Sequence, residues 1–397
     1  MSAVSSSNTA FALELFRTLS QTNPAGNIFV SPLSISSALA MVYLGAKGDT
    51  AAQMAQVSSL MEVRCLNQSP MTPNLNSLLQ PSSAADSGEG VHADFQKLNA
   101  DINSPSASYI LKLANRLYGE NTAHFLPKYY QADLKAVDFI GAPEACRAEI
   151  NSWVEQQTEN KIKDLLKPGT VNADTRLALV NAVYFKGNWK NTFDEENTKE
   201  MPFKVKQTVP VQMMHQRKKL PYNYIADHDL QILELPYVAE ELSMFILLPK
   251  ESSDGSDPLL KLGKELTQER LNEWTDRKNM STYSEVILHL PKFKLEEDYE
   301  LNEPLAKLGM KDVFCAGRAD LSGMNGEGGL FLSTVAHKAF VEVNEEGTEA
   351  AAATGAAINA CCYIPDTHFR ADHPFLFFIR HNKTKSILFF GRFSSPQ

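Results

Sequence analysis

The sequence has few cysteines, and their arrangement predicts neither a disulfide framework nor a zinc site. The five cysteines are odd in number, scattered along 397 residues and without CxxC spacing, which is typical of a protein from a reducing compartment. The N-terminus has no basic segment followed by an apolar run and a small-residue cleavage site, so we expect no secretory signal. We therefore predict a cytoplasmic protein, with leaderless release as its route to the extracellular space.

Long hydrophobic runs and an excess of positive charge are missing as well. The most apolar stretch, residues 242–248, has the length of a strand, whereas a membrane helix needs roughly 18 or more apolar residues. The chain carries 38 basic and 47 acidic residues, a net charge of −9 that repels nucleic acid. The basic run 217–219 is typical of a solvated strand edge rather than of a polyanion site. We expect neither a membrane nor a nucleic-acid partner.

Signatures of catalysis and of metal binding are missing from the sequence too. The nine histidines include no HExxH pattern, and no serine lies in a GxSxG motif. We therefore expect no metal and no cofactor. A hydrolase remains an outside alternative, which turnover of a simple ester would test.

What the sequence does contain is a helical first part followed by a strand-rich second part. Apolar periodicity predicts helices over 8–19, 143–166, 267–276 and 302–309, and a further helix with Ser31 as N-cap and Pro32 at its first position. It predicts strands at 27–30, 177–189, 231–236, 242–248, 284–301 and 335–344, and a C-terminal hairpin of 374–379 with 386–390. Helices first and strands later predict one large α+β domain over residues 1–397.

Residues 58–91 differ in composition from the rest of the chain. They contain QSPMTPNLN and PSSAADSGEG, which supply too little apolar surface to offset the entropy of ordering. We interpret this stretch as a mobile insertion between helices.

Residues 345–366 form a long segment of small residues between two strand signals. The stretch that begins EEGTEAAAATGAA resembles neither core nor turn, and so long a loop inside a compact domain is usually functional or disordered. If the segment were extended, alternation would place Thr348, Ala350, Ala352 and Thr354 on one small face. At roughly 3.3 Å per residue, the part from Glu346 to Cys361 would span about 50 Å as a strand. Anything attached to its end would move far.

Several blocks of the chain resemble, in the same order, sequence blocks shared by one known protein superfamily. They include NPAGNIFVSPLSISSALAMVYLGAKGDTAAQ, ANRLYGE, LVNAVYFKGNW, ADLSGM, HKAFVEVNEEGTEAAAAT and DHPFLFFIRH. The chain therefore resembles a serpin over nearly its whole length, and specifically the ovalbumin-like intracellular branch, clade B. The resemblance implies three β-sheets, eight or nine helices and an exposed reactive-centre loop at 345–366.

The resemblance also implies a function, the inhibition of serine proteases by a suicide-substrate mechanism. A protease would attack the loop, form an acyl-enzyme and be trapped when the cleaved loop inserts into the central sheet. Insertion of the serpin loop is a known case of strand addition to a β-sheet. The implied hinge consists of Glu345, Glu346, Gly347, Thr348, Glu349, Ala350, Ala351, Ala352, Ala353 and Thr354. Its small residues favour inhibition over the alternative of a non-inhibitory storage or binding serpin.

Family spacing from Glu345 places the cut between Cys361 and Cys362. A protonated cysteine is modest in size and apolar, so it suits elastase-like and chymotrypsin-like pockets rather than a trypsin pocket. Cysteine cathepsins are a further target class, because the trap needs only an acyl-enzyme. The vicinal thiols also suggest a redox-sensitive loop.

The resemblance assigns conformational rather than catalytic roles to five more residues, and we expect a monomer. Ser31, Ser34, Asn181 and His337 match a hydrogen-bonded cluster beneath the central sheet, where strands part during insertion. Trp189 matches a tryptophan near the top of that sheet, where the hinge enters.

Overall fold

A computed structural model describes residues 3–57, 95, 97–102, 108–127, 134–205, 207–252, 257–283, 285–347 and 367–396. The insertion predicted at 58–91 lies outside these ranges. So do the part of the hinge from Thr348 to Thr354 and the predicted cleavage residues Cys361 and Cys362.

The helices begin at the N-terminus and recur between the later strands. Their bounds are α1 Ala3–Thr22, α2 Pro32–Tyr43, α3 Gly48–Val57, α4 Pro143–Gln157, α5 Pro258–Glu265, α6 Gln268–Trp274, α7 Asn302–Leu308 and α8 Ser322–Asn325. Residues 97–102 are also helical.

The described strands form three sheets. Their bounds are β1 Ile28–Val30, β2 Tyr109–Glu120, β3 Leu134–Val137, β4 Leu177–Gly187, β5 Lys199–Phe203, β6 Val209–Lys219, β7 Tyr222–Ile225, β8 Leu230–Pro236, β9 Leu242–Pro249, β10 Glu285–Pro291, β11 Phe293–Glu300, β12 Leu332–Val343, β13 Thr367–Arg370, β14 Phe375–His381 and β15 Ile387–Phe393. The orders are β1-β15-β14-β9-β8-β7, β13-β10-β6-β5 and β11-β12-β4-β2-β3. The predicted α+β class is confirmed.

Local chemistry explains where several helices begin and end. The Ser31 hydroxyl accepts a hydrogen bond from the Ser34 amide, and Pro32 occupies the first turn of α2, so both N-terminal predictions are confirmed. Thr267 caps α6 by accepting from the Arg270 amide. Gly309 ends α7 with φ of 120°, a conformation that glycine adopts without steric cost.

The predicted helix over 143–166 is wrong in its second half. Helix α4 ends at Gln157, because Glu159 and Asn160 adopt positive φ angles of 53° and 59° that cannot continue a right-handed helix. The apolar residues after this turn are nevertheless buried, in an irregular segment that Asn151 fixes through two hydrogen bonds to Leu166. Their helix-like spacing therefore marks buried positions, although the backbone of this segment is not helical.

The strand boundaries also differ from the sequence prediction in detail. The β-rich stretch predicted over 284–301 consists of two strands, β10 and β11, separated by Lys292. The strand predicted to end at Trp189 ends at Gly187, and the first helix extends beyond both predicted ends.

The largest apolar core surrounds the six-stranded sheet. Strands β9, β14 and β15 are buried along their whole length. Stacked rings cross the sheet, with centroids 4.9 Å apart for Phe245 and Phe378 and 5.2 Å apart for Phe29 and Phe389. Helices α1 and α2 pack against β15. None of the described helices has the length and apolar character that crossing a membrane requires.

Candidate functional site

The centre of the five-stranded sheet contains a parallel pair of strands between antiparallel neighbours. Strand β12 pairs with β4 in parallel, whereas β11 with β12 and β2 with β4 are antiparallel. The register of the parallel pair ends at Phe340 and Tyr184, three residues before either strand ends. We call this parallel contact the seam. Beyond Phe340 and Tyr184 the two strands separate.

Gly347 lies between the two separating chains. It forms antiparallel bridges with Asn344, just after β12, and with Asn188, just after β4. Its φ is 111°, and a Cβ here would lie 2.5 Å from both the Gly187 oxygen and the Trp189 nitrogen. Glycine is therefore required by backbone conformation and by space. The turn at 344–347 directs the chain antiparallel to both strands of the seam.

Glu345, in this turn, is buried and paired rather than displayed to solvent. Its carboxylate accepts from the Thr198 hydroxyl at 2.8 Å and lies 2.9 Å from the Lys292 ammonium. Burial alone would raise the pKa of Glu345, but the hydrogen bonds from Lys292 and Thr198 outweigh burial and lower it. The start of the predicted reactive loop is thus an ionic anchor.

Trp189 fixes the same turn from the other side. Its indole Nε1–H donates to the Asn344 carbonyl at 3.0 Å, and its backbone amide donates to the Glu346 carbonyl at 2.9 Å. The indole stacks on Tyr237 with a centroid distance of 4.5 Å. The sequence placed Trp189 near the entry of the hinge, and the structure brings it into direct contact with that segment.

A buried polar cluster crosses the seam at its middle. His337 of β12 lies opposite Asn181 of β4 in the register, and the imidazole Nδ1 hydrogen-bonds the Asn181 amide oxygen. The Asn181 amide donates to the Ser34 hydroxyl at 2.6 Å, and the Ser31 amide donates to His337 Nε2 at 3.2 Å. The structure therefore brings together the four residues that the sequence grouped.

The protonation of His337 follows from these partners. Nε2 accepts from the Ser31 amide, so the single proton of a neutral ring lies on Nδ1 and is donated to Asn181. Burial lowers the pKa of His337 to about 3, because the interior disfavours a charged imidazolium. A neutral histidine bridges α2 and both strands of the seam.

Helix α4 and the segment after it cover the opposite face of the same sheet. Ile150 and Val154 of α4 pack in one cluster with Ala182 of β4 and Phe340 of β12. Lys338 of β12 donates to the Lys163 carbonyl at 2.9 Å and pairs with Glu296 at the same distance. The seam is therefore covered by apolar packing on one face and bridged by polar contacts on the other.

Three residues of the site escaped the sequence analysis. Asn115 of β2 accepts from the Ser34 hydroxyl at 3.0 Å and from the Asn181 amide, which extends the cluster to a third strand. Lys292 and Thr198 hold Glu345. No local pattern marks these residues, because their contacts join segments 53 to 147 residues apart. Among the described residues, no group of three or more histidine, cysteine or acidic side chains could hold a metal ion.

Comparisons with known proteins agree with this architecture. The family model described as serpin (serine protease inhibitor) matches residues 6–396. The leukocyte elastase inhibitors of Homo sapiens and Equus caballus are 53% and 52% identical to the chain over 405 aligned positions, with all of each chain covered.

Solved structures show the same fold. Uncleaved ovalbumin superimposes with a TM-score of 0.83 at 35% identity, covering 99% of this chain and all of that one. A tumour-suppressing serpin gives 0.82 at 34% identity with complete coverage of both chains. Human thyroxine-binding globulin, in complex with its hormone, gives 0.81 at 28% identity and covers 99% of this chain and 98% of that one. The chain therefore belongs to the serpin family, as a homologue of protease inhibitors and not an enzyme.

Proposed function

We propose that this serpin inhibits elastase-like and chymotrypsin-like serine proteases as a suicide substrate. The observation that carries the proposal is the position of Gly347 between the separating ends of β4 and β12, bridged to both chains. Residues that follow Gly347 in an extended conformation would continue as a strand antiparallel to both. The bridges of Gly347 would thus be the first pairing of the proposed inserted strand, and they are present before cleavage.

The strand pairing supplies a driving force for insertion. A strand entering the seam would replace one parallel ladder by two antiparallel ladders. It would also pair with β12 and β4 beyond Phe340 and Tyr184, where the register of the parallel pair ends. The residues meant to enter, from Thr348 to Thr354, are all small except Glu349. With the face that carries Thr348 toward the apolar side, the covering helix α4 would need little displacement. Cleavage after Cys361 would disconnect the residues before it from the chain that follows, so that they could enter the seam and exchange the parallel ladder for two antiparallel ladders.

The polar cluster supplies the opposing barrier. Opening the seam separates Asn181 from His337, its direct partner across the seam. Buried polar groups that lose their partners cost about 1–3 kcal/mol each. The cluster keeps the uncleaved sheet closed, and the anchor at Glu345 holds the hinge in place until the loop is cut.

The chemistry at the bait follows the ordinary acyl-transfer sequence. The protease serine attacks the Cys361 carbonyl, the peptide bond to Cys362 breaks, and a proton passes to the new amine of Cys362. An ester then joins the protease to Cys361 until water hydrolyses it. Insertion traps the ester when it is faster than that hydrolysis. Cysteine cathepsins would form a thioester at the same position.

This activity requires no cofactor and no second subunit, so we propose a monomer with a single serpin domain and the loop 345–366 as its bait. The leukocyte elastase inhibitors that it resembles support elastase-like targets. We also propose a cytoplasmic location, because the vicinal cysteines at the proposed bait would stay reduced there.

The decisive experiment incubates the reduced protein with neutrophil elastase and, separately, with chymotrypsin. Denaturing electrophoresis detects a covalent complex, and mass spectrometry identifies the released C-terminal peptide. We expect a complex stable to denaturant and a peptide that begins at Cys362. Cleavage without a complex would instead indicate a non-inhibitory serpin with a substrate loop.

A matched pair of variants separates insertion from recognition. Thr348→Arg places a bulky charge in the predicted inserting face, whereas Glu349→Arg places the same charge on the other face. We expect Thr348→Arg to convert the protein largely into a substrate, with cleavage at an unchanged bond, and Glu349→Arg to retain complex formation. Equal behaviour of the two variants would contradict the strand insertion.

A further inference from the structure

The turn between β8 and β9 has an unfavourable backbone conformation. Ala239 and Glu240 both adopt positive φ angles, of 61° and 56°, a region that residues other than glycine, asparagine and aspartate rarely occupy. A hydrogen bond of 3.0 Å from the Glu240 amide to the Tyr237 carbonyl closes the turn. Glycine or asparagine is the ordinary residue where a turn requires positive φ. Strain of this kind persists only where surrounding contacts hold it, and it is common at functional sites.

We call residues 237–241 the strained turn, and it contacts the β2–β4 side of the seam. The Val238 amide donates to the carbonyl of Asn188, just after β4, at 2.8 Å. Ser108, directly before β2, donates from its amide to the Glu241 carboxylate at 3.0 Å and from its hydroxyl to the Val238 carbonyl at 2.8 Å. The strained turn therefore holds the end of β4 and the start of β2, which are neighbours in the sheet.

The Glu240 side chain joins the segment after β4 to the six-stranded sheet. Its carboxylate forms ion pairs with Lys190 and with Arg277, whose Nη1 lies 3.0 Å from Oε2. Hydrogen bonds from Lys190 and then from Arg277 lower the pKa of Glu240. Arg277 also donates two hydrogen bonds, of 2.8 and 3.0 Å, to Glu234 of β8, which is completely buried. Alternating charges thus connect the interior of the six-stranded sheet with Lys190.

These ion pairs explain why the strained turn contains a glutamate. Glycine at position 240 would relieve the backbone, but it would leave Lys190 and Arg277 without the carboxylate between them. The unfavourable φ of Glu240 is therefore the consequence of placing an acidic side chain where it reaches both cations.

Strand insertion requires β4 and β12 to separate, so one side of the five-stranded sheet must move relative to the six-stranded sheet. The strained turn holds the side that contains β2 and β4. We propose that Glu240 is a positioning residue for strand insertion, which holds this side in place through Lys190 and slows the opening of the seam. This inference rests on the proposed function, because it concerns the step that would trap the protease.

The position of the ion pairs gives this restraint a signature that the buried polar cluster lacks. The side chains of Lys190, Glu240 and Arg277 are 49%, 35% and 46% exposed. Salt screens ion pairs at such exposure, whereas the contacts between His337 and Asn181 are neutral and buried. Opening that is limited by Glu240 should therefore become faster as the salt concentration rises.

The test measures how fast the uncleaved protein incorporates a synthetic peptide spanning residues 348–360, a reaction that needs no protease. Glu240→Gln and Glu240→Gly both remove the carboxylate, but only glycine also relieves the positive φ. We expect both variants to incorporate the peptide about three to ten times faster than the unmodified protein. Added salt should accelerate the unmodified protein and have much less effect on either variant. A role in turn stability alone would instead separate the glycine from the glutamine variant.

Two further variants test the ion pair itself. Lys190→Gln should accelerate incorporation on its own but add nothing to Glu240→Gln, because both changes remove the same contact. Glu303→Gln is the matched control, since it breaks an exposed pair of 2.7 Å with Lys307 in α7. It should incorporate the peptide at the rate of the unmodified protein.

Each other outcome would overturn the proposal. Unchanged rates in both Glu240 variants would show that the strained turn does not limit opening, and equal acceleration by Glu303→Gln would indicate a general effect of charge. Additive effects of Lys190→Gln and Glu240→Gln would mean that the two residues act separately. No incorporation by any form would show that the seam does not open to a free strand. Failure of the proposed function is a separate result, the absence of a covalent complex between the unmodified protein and elastase.

Discussion

The two largest sheets of this serpin are held together in different ways. The six-stranded sheet is antiparallel throughout, and strands β14 and β15 at its centre are completely buried. The five-stranded sheet contains a parallel pair at its centre, and the polar contact between His337 and Asn181 crosses that pair. One sheet is stabilised by apolar packing that no water can replace. The other is closed across its parallel pair by hydrogen bonds, which the proposed inserted strand would replace with its own.

This difference teaches where conformational change can occur in a tightly packed molecule. Opening a stacked aromatic layer exposes large apolar surfaces at roughly 25 cal/mol per Å² and yields no substitute contacts. Opening the seam exposes backbone and polar groups, which an inserted strand satisfies again. Mobility in a protein of this size therefore depends on which interactions can be replaced, more than on how many there are.

The largest expected effect on stability comes from a substitution in the six-stranded sheet, which we call the rigid sheet. Phe378→Ala removes a fully buried ring that stacks on Phe245 and Phe390. We expect the free energy of unfolding to fall by about 3–5 kcal/mol. If this sheet stays unchanged in the proposed insertion, thermal unfolding of the uncleaved and the loop-cleaved protein should shift by similar amounts. A loss confined to one of the two forms would contradict the proposed division between the sheets.

The seam should respond differently to the removal of one polar group. Asn181→Ala removes one hydrogen-bond partner each from His337, Ser34 and Asn115. Ser34 and Asn115 still bond to each other, but the buried Nδ1–H of His337 loses its acceptor, so stability should fall by about 1–3 kcal/mol. The seam should also open faster, which the rate of incorporation of a synthetic peptide spanning residues 348–360 measures.

Asn8→Ala is the matched control for this change. Asn8 is an equally buried asparagine in α1, bonded to the Ile387 carbonyl of the rigid sheet at 2.8 Å. It should lose similar stability without faster peptide incorporation. If both variants accelerate incorporation equally, the barrier is global stability and not the cluster.

A substitution of Gly347, in the hinge, should change the free energy of unfolding less than the substitutions above. Gly347→Ala adds a Cβ within 2.5 Å of two backbone atoms and must adopt a φ of 111°, whereas Gly169→Ala meets only the strain of its φ of 83° in open space. The positive φ alone costs roughly 1–2 kcal/mol. We expect Gly347→Ala to disturb Trp189 fluorescence and to shift the products from complex toward cleaved inhibitor. Unchanged partitioning, with Gly169→Ala as reference, would show that the first pairing is dispensable.

The sequence predicted the chemistry of these regions better than their geometry. Caps such as Ser31 and Thr267 act within one turn of helix, and a single segment contains all the information needed. The end of α4 could not be predicted, because the buried residues Ile162 and Leu166 continue a helical spacing without helical backbone. Burial is decided by the whole fold, and periodicity does not distinguish its causes.

The site shows the same limit more clearly. The resemblance to serpins grouped Ser31, Ser34, Asn181 and His337 from separate segments. It did not include Asn115, whose position opposite Asn181 follows only from the register of β2 and β4. Nor did it place Glu345 in a buried ion pair with Lys292. Contacts of this kind depend on which strands become neighbours, and a local pattern does not encode that order.

The smallest effect concerns the protonation of His337, and its sign follows from linkage. The folded protein holds the pKa of this imidazole at about 3, whereas the unfolded chain titrates near about 6.5. The unfolded state therefore binds more protons between these values, so the stabilising contribution is present above pH 6.5 and decreases as pH falls toward 3. From pH 7 to pH 6 the loss from this group should be about 0.7 kcal/mol. Urea unfolding of His337→Gln, whose amide can donate to Asn181 and accept from Ser31, should show a correspondingly flatter pH dependence. The other histidines remain in both proteins, so equal slopes would mean that the cluster tolerates a charged ring and that the seam is closed by something other than these neutral hydrogen bonds.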